Sequence, residues 1–138
     1  MNKTQSITDL LNELNKCETE RKRNLLLEKR GRKCISKSII KKAREIAKSS
    51  KNEKDIIINL RKFIKMLKSE GDNLFMIFPK CYCHHIKKYK GKIPDFYCNC
   101  SRGWIKELFG NALGREVDVK IISTVIRGSK ECRFKIVL

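Results

Sequence analysis

What the chain has little of narrows its class first. No apolar run approaches the roughly 18–20 residues that a membrane span needs. The opening stretch, MNKTQSITDLLNELNK, has neither the charged and apolar regions nor the small-residue cleavage site of a secretory signal. These two absences point to a cytoplasmic protein. There is no glycine-rich phosphate loop, no Ser–His–Asp set in a diagnostic context and no paired-carboxylate motif, so no catalytic residue is read from the sequence. Internal repeats and low-complexity linkers are missing too. With 138 residues the chain suits one domain with a core of its own. Carboxylates are scarce: 15 Asp and Glu face 33 Lys and Arg, a net charge of +18. The excess is +11 over residues 1–70 and +7 over residues 71–138, so it is spread and not confined to a tail. Such a field attracts phosphates and other anions. An abundance of lysine and isoleucine throughout accounts for the same numbers without any specific partner.

What the chain has in plenty is cysteine, seven in all, against two histidines. Four of the cysteines and both histidines fall in one segment, CYCHHIKKYKGKIPDFYCNC, from Cys81 to Cys100. In a reducing compartment such residues read as metal ligands, reactive thiols or small core residues. Cys81, Cys83, Cys98 and Cys100 form two C-x-C pairs and are the expected metal ligands, with His84 and Cys132 as further candidates. Zinc suits four thiolates, and an iron–sulfur cluster is the lesser alternative. C-x-C is an unusual spacing, because on a regular strand the two side chains share a face but stand roughly 6.5–7 Å apart. His84 and His85 point oppositely on a strand, so one at most joins a site with Cys83. Burial as reduced thiols is the competing reading for all four cysteines. Cys34, in GRKC, is the candidate reactive thiol, since Arg30, Arg32, Lys33 and Lys37 favour its thiolate.

The periodicity predicts a basic helical part over 1–70 and a cysteine-rich α+β part over 71–138. Helices are expected over 7–30, 35–49 and 53–69, with Gly31 capping the first and 70–73 forming a turn. A strand is expected over 74–78 and a hairpin over 80–100. Ser101 should cap a helix over 102–113 that buries Trp104, Ile105, Leu108, Phe109 and Ala112 and ends at Gly114. Residues 116–126 and 131–138 alternate at strand period and should pair as an antiparallel hairpin, with Cys132, Phe134, Ile136 and Leu138 on the apolar side. Trp104, Leu108, Phe109 and Phe134 can either fill a core or floor an apolar pocket. Periodicity does not separate the two.

The stretch CNCSRGWIKELFGNALGREVDVKIISTVIRGSKECRFKIVL resembles the C-terminal motif of the 4-vinyl reductase domain family. The matching positions are Cys98 or Cys100, Gly103-Trp104, Gly114, Gly128, Cys132 and Phe134. The run from Gly31–Cys34 through CYC, YCNC and GW to CRF is similar to a group of cysteine-rich microbial proteins related to those domains. They carry a further cysteine where this chain has Arg30. The resemblance implies an α+β fold, with N-terminal helices and a small antiparallel sheet carrying one packed helix. That fold is similar to the ligand-binding domains of nitric-oxide signalling and Golgi-transport tethering proteins. It also implies binding of a small, often hydrophobic molecule. In aromatic-sensing members a zinc site of cysteines and one glutamate lies beside the ligand pocket. Here Thr124 and Ile121 fall where that site would need a cysteine and a carboxylate. A more distant similarity of the closing strand extends to thiazoline-carboxylate hydrolases.

The sequence therefore leads to three expectations. The first is a small-molecule-binding or sensing domain, with Trp104, Leu108, Phe109 and Phe134 as ligand-contacting residues and a cysteine-rich zinc site; it spans no membrane and is compatible with a homodimer. The second is a nucleic-acid-associated regulator using the basic helices of residues 16–68. The third is a cysteine- or metal-dependent hydrolase.

Overall fold

The fold was obtained as a computed structural model, which describes residues 9, 12, 13, 16, 17, 19–78, 98–123 and 131–138. Among the described residues the elements with defined bounds are, in order, α1 (Glu20–Cys34), α2 (Lys37–Ser49), α3 (Glu53–Phe63), β1 (Leu67–Glu70), β2 (Asn73–Phe78), α4 (Asn99–Leu113), β3 (Asp118–Ser123) and β4 (Cys132–Val137). Each of the first three helices starts where a short polar side chain accepts a hydrogen bond from a first-turn amide. Thr19 accepts from the Lys22 N–H, Ser36 from Ile39 and Asn52 from Asp55. The strands form one antiparallel sheet in the order β1-β2-β4-β3. The fold is thus α+β with N-terminal helices, a small antiparallel sheet and one helix packed upon it, as expected. No helix among the described residues is long and apolar enough to cross a membrane.

Several boundaries differ from the sequence-based expectations, each for a physical reason. The first helix begins at Glu20 and runs through Gly31 to Cys34. Gly31 does not cap it; it is buried in the helix, and a methyl group there would overlap the Cys100 carbonyl. The third helix stops at Phe63, and Leu67–Glu70, expected as its last turn, is an edge strand. Leu67 still points into the core, but from β1 opposite Met76. Gly71, at φ 61°, opens the two-residue turn that folds β1 onto β2. The fourth helix begins at Asn99, with Cys98 at its N-cap, so Ser101 lies inside the first turn. Gly114 ends that helix in the left-handed conformation at φ 69°, as the sequence suggests. Residues 79–97, where a hairpin was expected, lie outside the described residues, as do 124–130.

One face of the sheet meets the helices. Leu67, Leu74, Met76, Val119, Phe134 and Ile136 point inward from the strands. Ile105, Leu108, Phe109 and Ala112 of α4 meet them, joined by Ala43 and Ile46 of α2 and Leu60 of α3. Cys132 faces inward opposite Phe78, as its alternation predicts. Leu138, expected on the same side, is exposed just beyond β4. Helices α1 and α4 run parallel: Asn24 meets Asn99, Glu28 meets Gly103 and Arg32 meets Glu107. Every four-residue step along one helix is matched on the other. Two glycines permit this approach, since a methyl group at Gly103 would overlap the Glu28 carbonyl just as one at Gly31 would overlap Cys100.

Candidate functional site

The apolar residues expected to contact a ligand serve the core in this structure. Leu108 and Phe109 are fully buried and Phe134 is 1 % exposed, all in one cluster with the inner sheet face. Phe134 makes an edge-to-face contact with Phe78 at 6.0 Å between ring centroids. Trp104 is half-buried at the margin of the same cluster.

The cysteines divide differently. Cys81, Cys83, His84 and His85 lie outside the described residues. Cys98 and Cys100 are both buried, as is Cys132 on β4; none of the three is in a disulfide. Cys98 and Cys100 open a helix and not a hairpin strand. Cys98 is the N-cap residue and Cys100 lies in the first turn, so the C-x-C pair spans the start of the helix and does not share one face of a strand. Among the described residues no group of three or more His, Cys, Asp or Glu side chains is placed to hold a metal ion. Cys34 closes α1 and is exposed.

The parallel pair α1 and α4 builds a cleft of about 430 Å³ that sequence reasoning missed. Glu20, Arg21, Asn24, Leu25 and Glu28 line it from α1, and Arg102 and Lys106 from α4. The α1 residues recur at intervals of three and four and so share one helical face. The floor is a closed ionic network. One Glu28 carboxylate oxygen accepts from Arg102 at 3.0 Å and from Lys106 at 3.2 Å. Arg102 also donates to Asp118 at 3.0 Å and, through Nε, to the Val119 carbonyl at 2.6 Å. Glu28 is 9 % exposed, so its charge needs these partners. Partial burial pushes the Asp118 carboxyl up, but hydrogen bonds from Arg102 and the Val119 amide, with the Arg102 and Lys106 charges, outweigh it and hold the group below the usual carboxylate range.

The rim is less committed. Arg21 is exposed, and among the described residues no carboxylate lies within ion-pair reach of it. Leu25 is 53 % exposed and supplies an apolar wall. Asn24 uses its carbonyl oxygen to accept from Asn99 at 3.1 Å, which leaves its amide N–H groups as donors beside Arg21.

The basic helices also take shape. On α2, Lys37, Lys41, Arg44 and Lys48 fall within about 60° of one another at 100° per residue. All four are exposed, with Arg44 held by Asn111 at 2.9 Å. Carboxylates elsewhere are drawn to arginines: Arg32 to Glu107 and Glu116, Arg115 to Glu53, and Arg133 to Glu70 and Glu131.

Residues 10–138 match the profile of DUF6144, a family of unknown function. The chain belongs to this family. Among curated proteins none matches it. The DUF6144 match extends over both the helical part and the cysteine-rich part, so the α1–α4 pairing lies wholly inside it.

Proposed function

We propose that this DUF6144 domain binds a small, polar, carboxylate-bearing molecule in the α1–α4 cleft. The observation that carries the reading is the contrast within that cleft: a floor whose charges are mutually paired, and a rim where Arg21, the Asn24 amide and Leu25 converge uncommitted. Its volume falls within the range of small-molecule sites, roughly 300–1,000 Å³. A carboxylate would accept from the Arg21 guanidinium and Asn24, and a short aliphatic body would lie on Leu25. Glu28, Arg102 and Lys106 would position the wall without being consumed by the ligand. The reading keeps the small-molecule role implied by the 4-vinyl reductase resemblance and changes the ligand from apolar to polar. It assigns no catalytic step.

The buried thiols favour a second element of the same reading, a zinc ion. Cys81 and Cys83, with one of Cys98 or Cys100 and His84 as a further ligand, would supply thiolate and imidazole donors. Elemental analysis of protein purified under reducing conditions tests it: about one zinc per chain supports it, and none, after zinc supplementation, removes it.

The cleft is tested by thermal shift against a panel of short aliphatic carboxylates and amino acids, since a ligand that binds only the folded state raises the melting temperature with concentration. A saturable rise in the parent, absent in Arg21→Gln, is the expected result. No response to any member, or an equal response in both proteins, would remove the reading. Arg21 is exposed, so its replacement leaves the fold intact.

A further inference from the structure

The outer face of the sheet carries an arrangement that packing does not require. Across the four strands, Lys68 stands opposite Phe75, Phe75 opposite Lys135, and Lys135 opposite Lys120. One cross-strand row therefore reads lysine, phenylalanine, lysine, lysine. Like charges directly opposite on neighbouring strands are destabilising, yet Lys135 and Lys120 occupy such a pair. Glu70 and Asp118, in β1 and β3, and Glu131, just before β4, are taken by Arg133 and Arg102. Among the described residues none lies within ion-pair reach of Lys68, Lys120 or Lys135. The Arg133 guanidinium lies over the Phe75 ring at 5.1 Å from its centroid. Glu70, at 2.6 Å, and Glu131, at 3.1 Å, fix it there.

We propose that this face binds single-stranded nucleic acid. A base stacks on the outer side of the Arg133 guanidinium, which the Phe75 ring backs from the neighbouring central strand, and the lysine row takes the flanking phosphates. Stacking on aromatic rings and guanidinium planes is how unpaired bases are held, and a cationic track beside them follows the backbone. Strands lie about 4.8 Å apart, so Lys68 and Lys120, three strands away, are about 14 Å apart, enough to reach phosphates on either side of a stacked base. Bound phosphate would relieve the repulsion between Lys120 and Lys135. The basic stripe of α2 offers charge alone. It carries no aromatic residue, and Glu45 shares the helix with it. The inference is independent of the α1–α4 cleft, because none of Lys68, Phe75, Lys120, Arg133 and Lys135 lines it.

Fluorescence anisotropy with a labelled, mixed-sequence RNA oligonucleotide, alone and as a duplex, tests the proposal. Lys120→Gln/Lys135→Gln should weaken single-strand binding about tenfold and lower the salt slope by about 1.4, the release expected for two phosphate contacts. The helix control, Lys41→Gln/Lys48→Gln, removes the same charge and should change it less than about threefold. Phe75→Leu keeps an apolar side chain and should cost about tenfold on the single strand and nothing on the duplex. The sheet variant loses a repulsion, so its melting temperature should equal or exceed the parent's, which separates lost binding from lost fold. Equal losses in the sheet and helix variants would reduce the effect to net charge and overturn the proposal. An unchanged affinity in Phe75→Leu would overturn it as well.

Discussion

The two faces of the one sheet are made by the same strands and obey opposite rules. On the inner face, Met76, Phe134, Val119 and Ile136 are all but removed from water, and each is held by neighbours from at least one helix or strand. On the outer face, Phe75 is half-buried, Ile122 is 51 % exposed, and lysines face each other across β3 and β4. Side-chain alternation puts these residues one position apart along the chain. The inner set is decided by close packing, which tolerates little change of volume. The outer set breaks a local rule of charge pairing where packing makes no demand. Departures of that kind are informative about function, whereas well-packed residues report mainly on the fold.

Three residues of the C-terminal sequence motif, Gly103, Gly114 and Phe134, fall on the packed side of this divide. Gly103 is needed for the approach of α1 to α4, Gly114 for a left-handed helix end, and Phe134 for the core. They serve the packing of this chain. A ligand has to be argued from other residues.

The comparison is broken most directly by truncating one phenylalanine on each face. Phe134→Ala should destabilise by about 3–5 kcal/mol, the usual cost of emptying a buried aromatic site. Phe75→Ala should cost about 1 kcal/mol, since a half-buried side chain has less to lose. Urea denaturation of the two variants reads both values. Similar losses would mean that the outer face is packed as the inner one is.

The next effect concerns the helix pair. Gly103→Ala should cost about 3 kcal/mol, because the added methyl group meets the backbone of α1 and cannot turn aside. Gly110→Ala, on the same helix but with its nearest neighbour, the Arg115 carbonyl oxygen, 3.9 Å from the Cβ position, should be neutral or slightly stabilising. Both follow from thermal or chemical melts, and a Gly103→Ala protein as stable as the parent would contradict the close crossing.

The smallest expected effect is electrostatic. The folded state holds the Asp118 carboxyl below its ordinary value of 3.8. A group lowered in this way contributes stability above its unfolded pKa and loses that contribution as pH falls through the folded one. Asp118 is 57 % exposed, so solvent screening keeps its pair with Arg102 below about 1 kcal/mol. Asp118→Asn should therefore cost a few tenths of a kcal/mol at neutral pH, and the gap should narrow below about pH 4 in melts run across the acid range.

Much of the fold was legible in the sequence because its signals are local. Apolar residues at helical spacing mark α2 and α3, Gly71 and Gly114 end or turn elements, and the alternation of Val119 with Lys120 and of Phe134 with Lys135 assigns sides to β3 and β4. What was hidden depends on contacts between distant segments. Gly31 looks like a helix stop until α4 is laid against it. Leu67 continues a helical stripe in sequence, yet it pairs as a strand because Gly71 folds it onto β2. Cys98 and Cys100 suit a strand by spacing, but they open a helix buried against its neighbours. The cleft depends on the parallel register of α1 and α4, 75 residues apart in the chain, which no local pattern announces. The lysine row likewise appears only when β4 is inserted between β2 and β3.

The proposal separates a polar cleft that takes a small carboxylate from the Trp104, Leu108 and Phe109 face, which packs in or against the core. One measurement bears on it most directly: thermal shift of the parent, Arg21→Gln and Trp104→Ala proteins with a short carboxylate and with an apolar fluorescent probe. The account predicts a carboxylate response that Arg21→Gln abolishes and Trp104→Ala retains, with no saturable site for the probe. Saturable probe binding lost in Trp104→Ala, together with an unchanged response in Arg21→Gln, would contradict it.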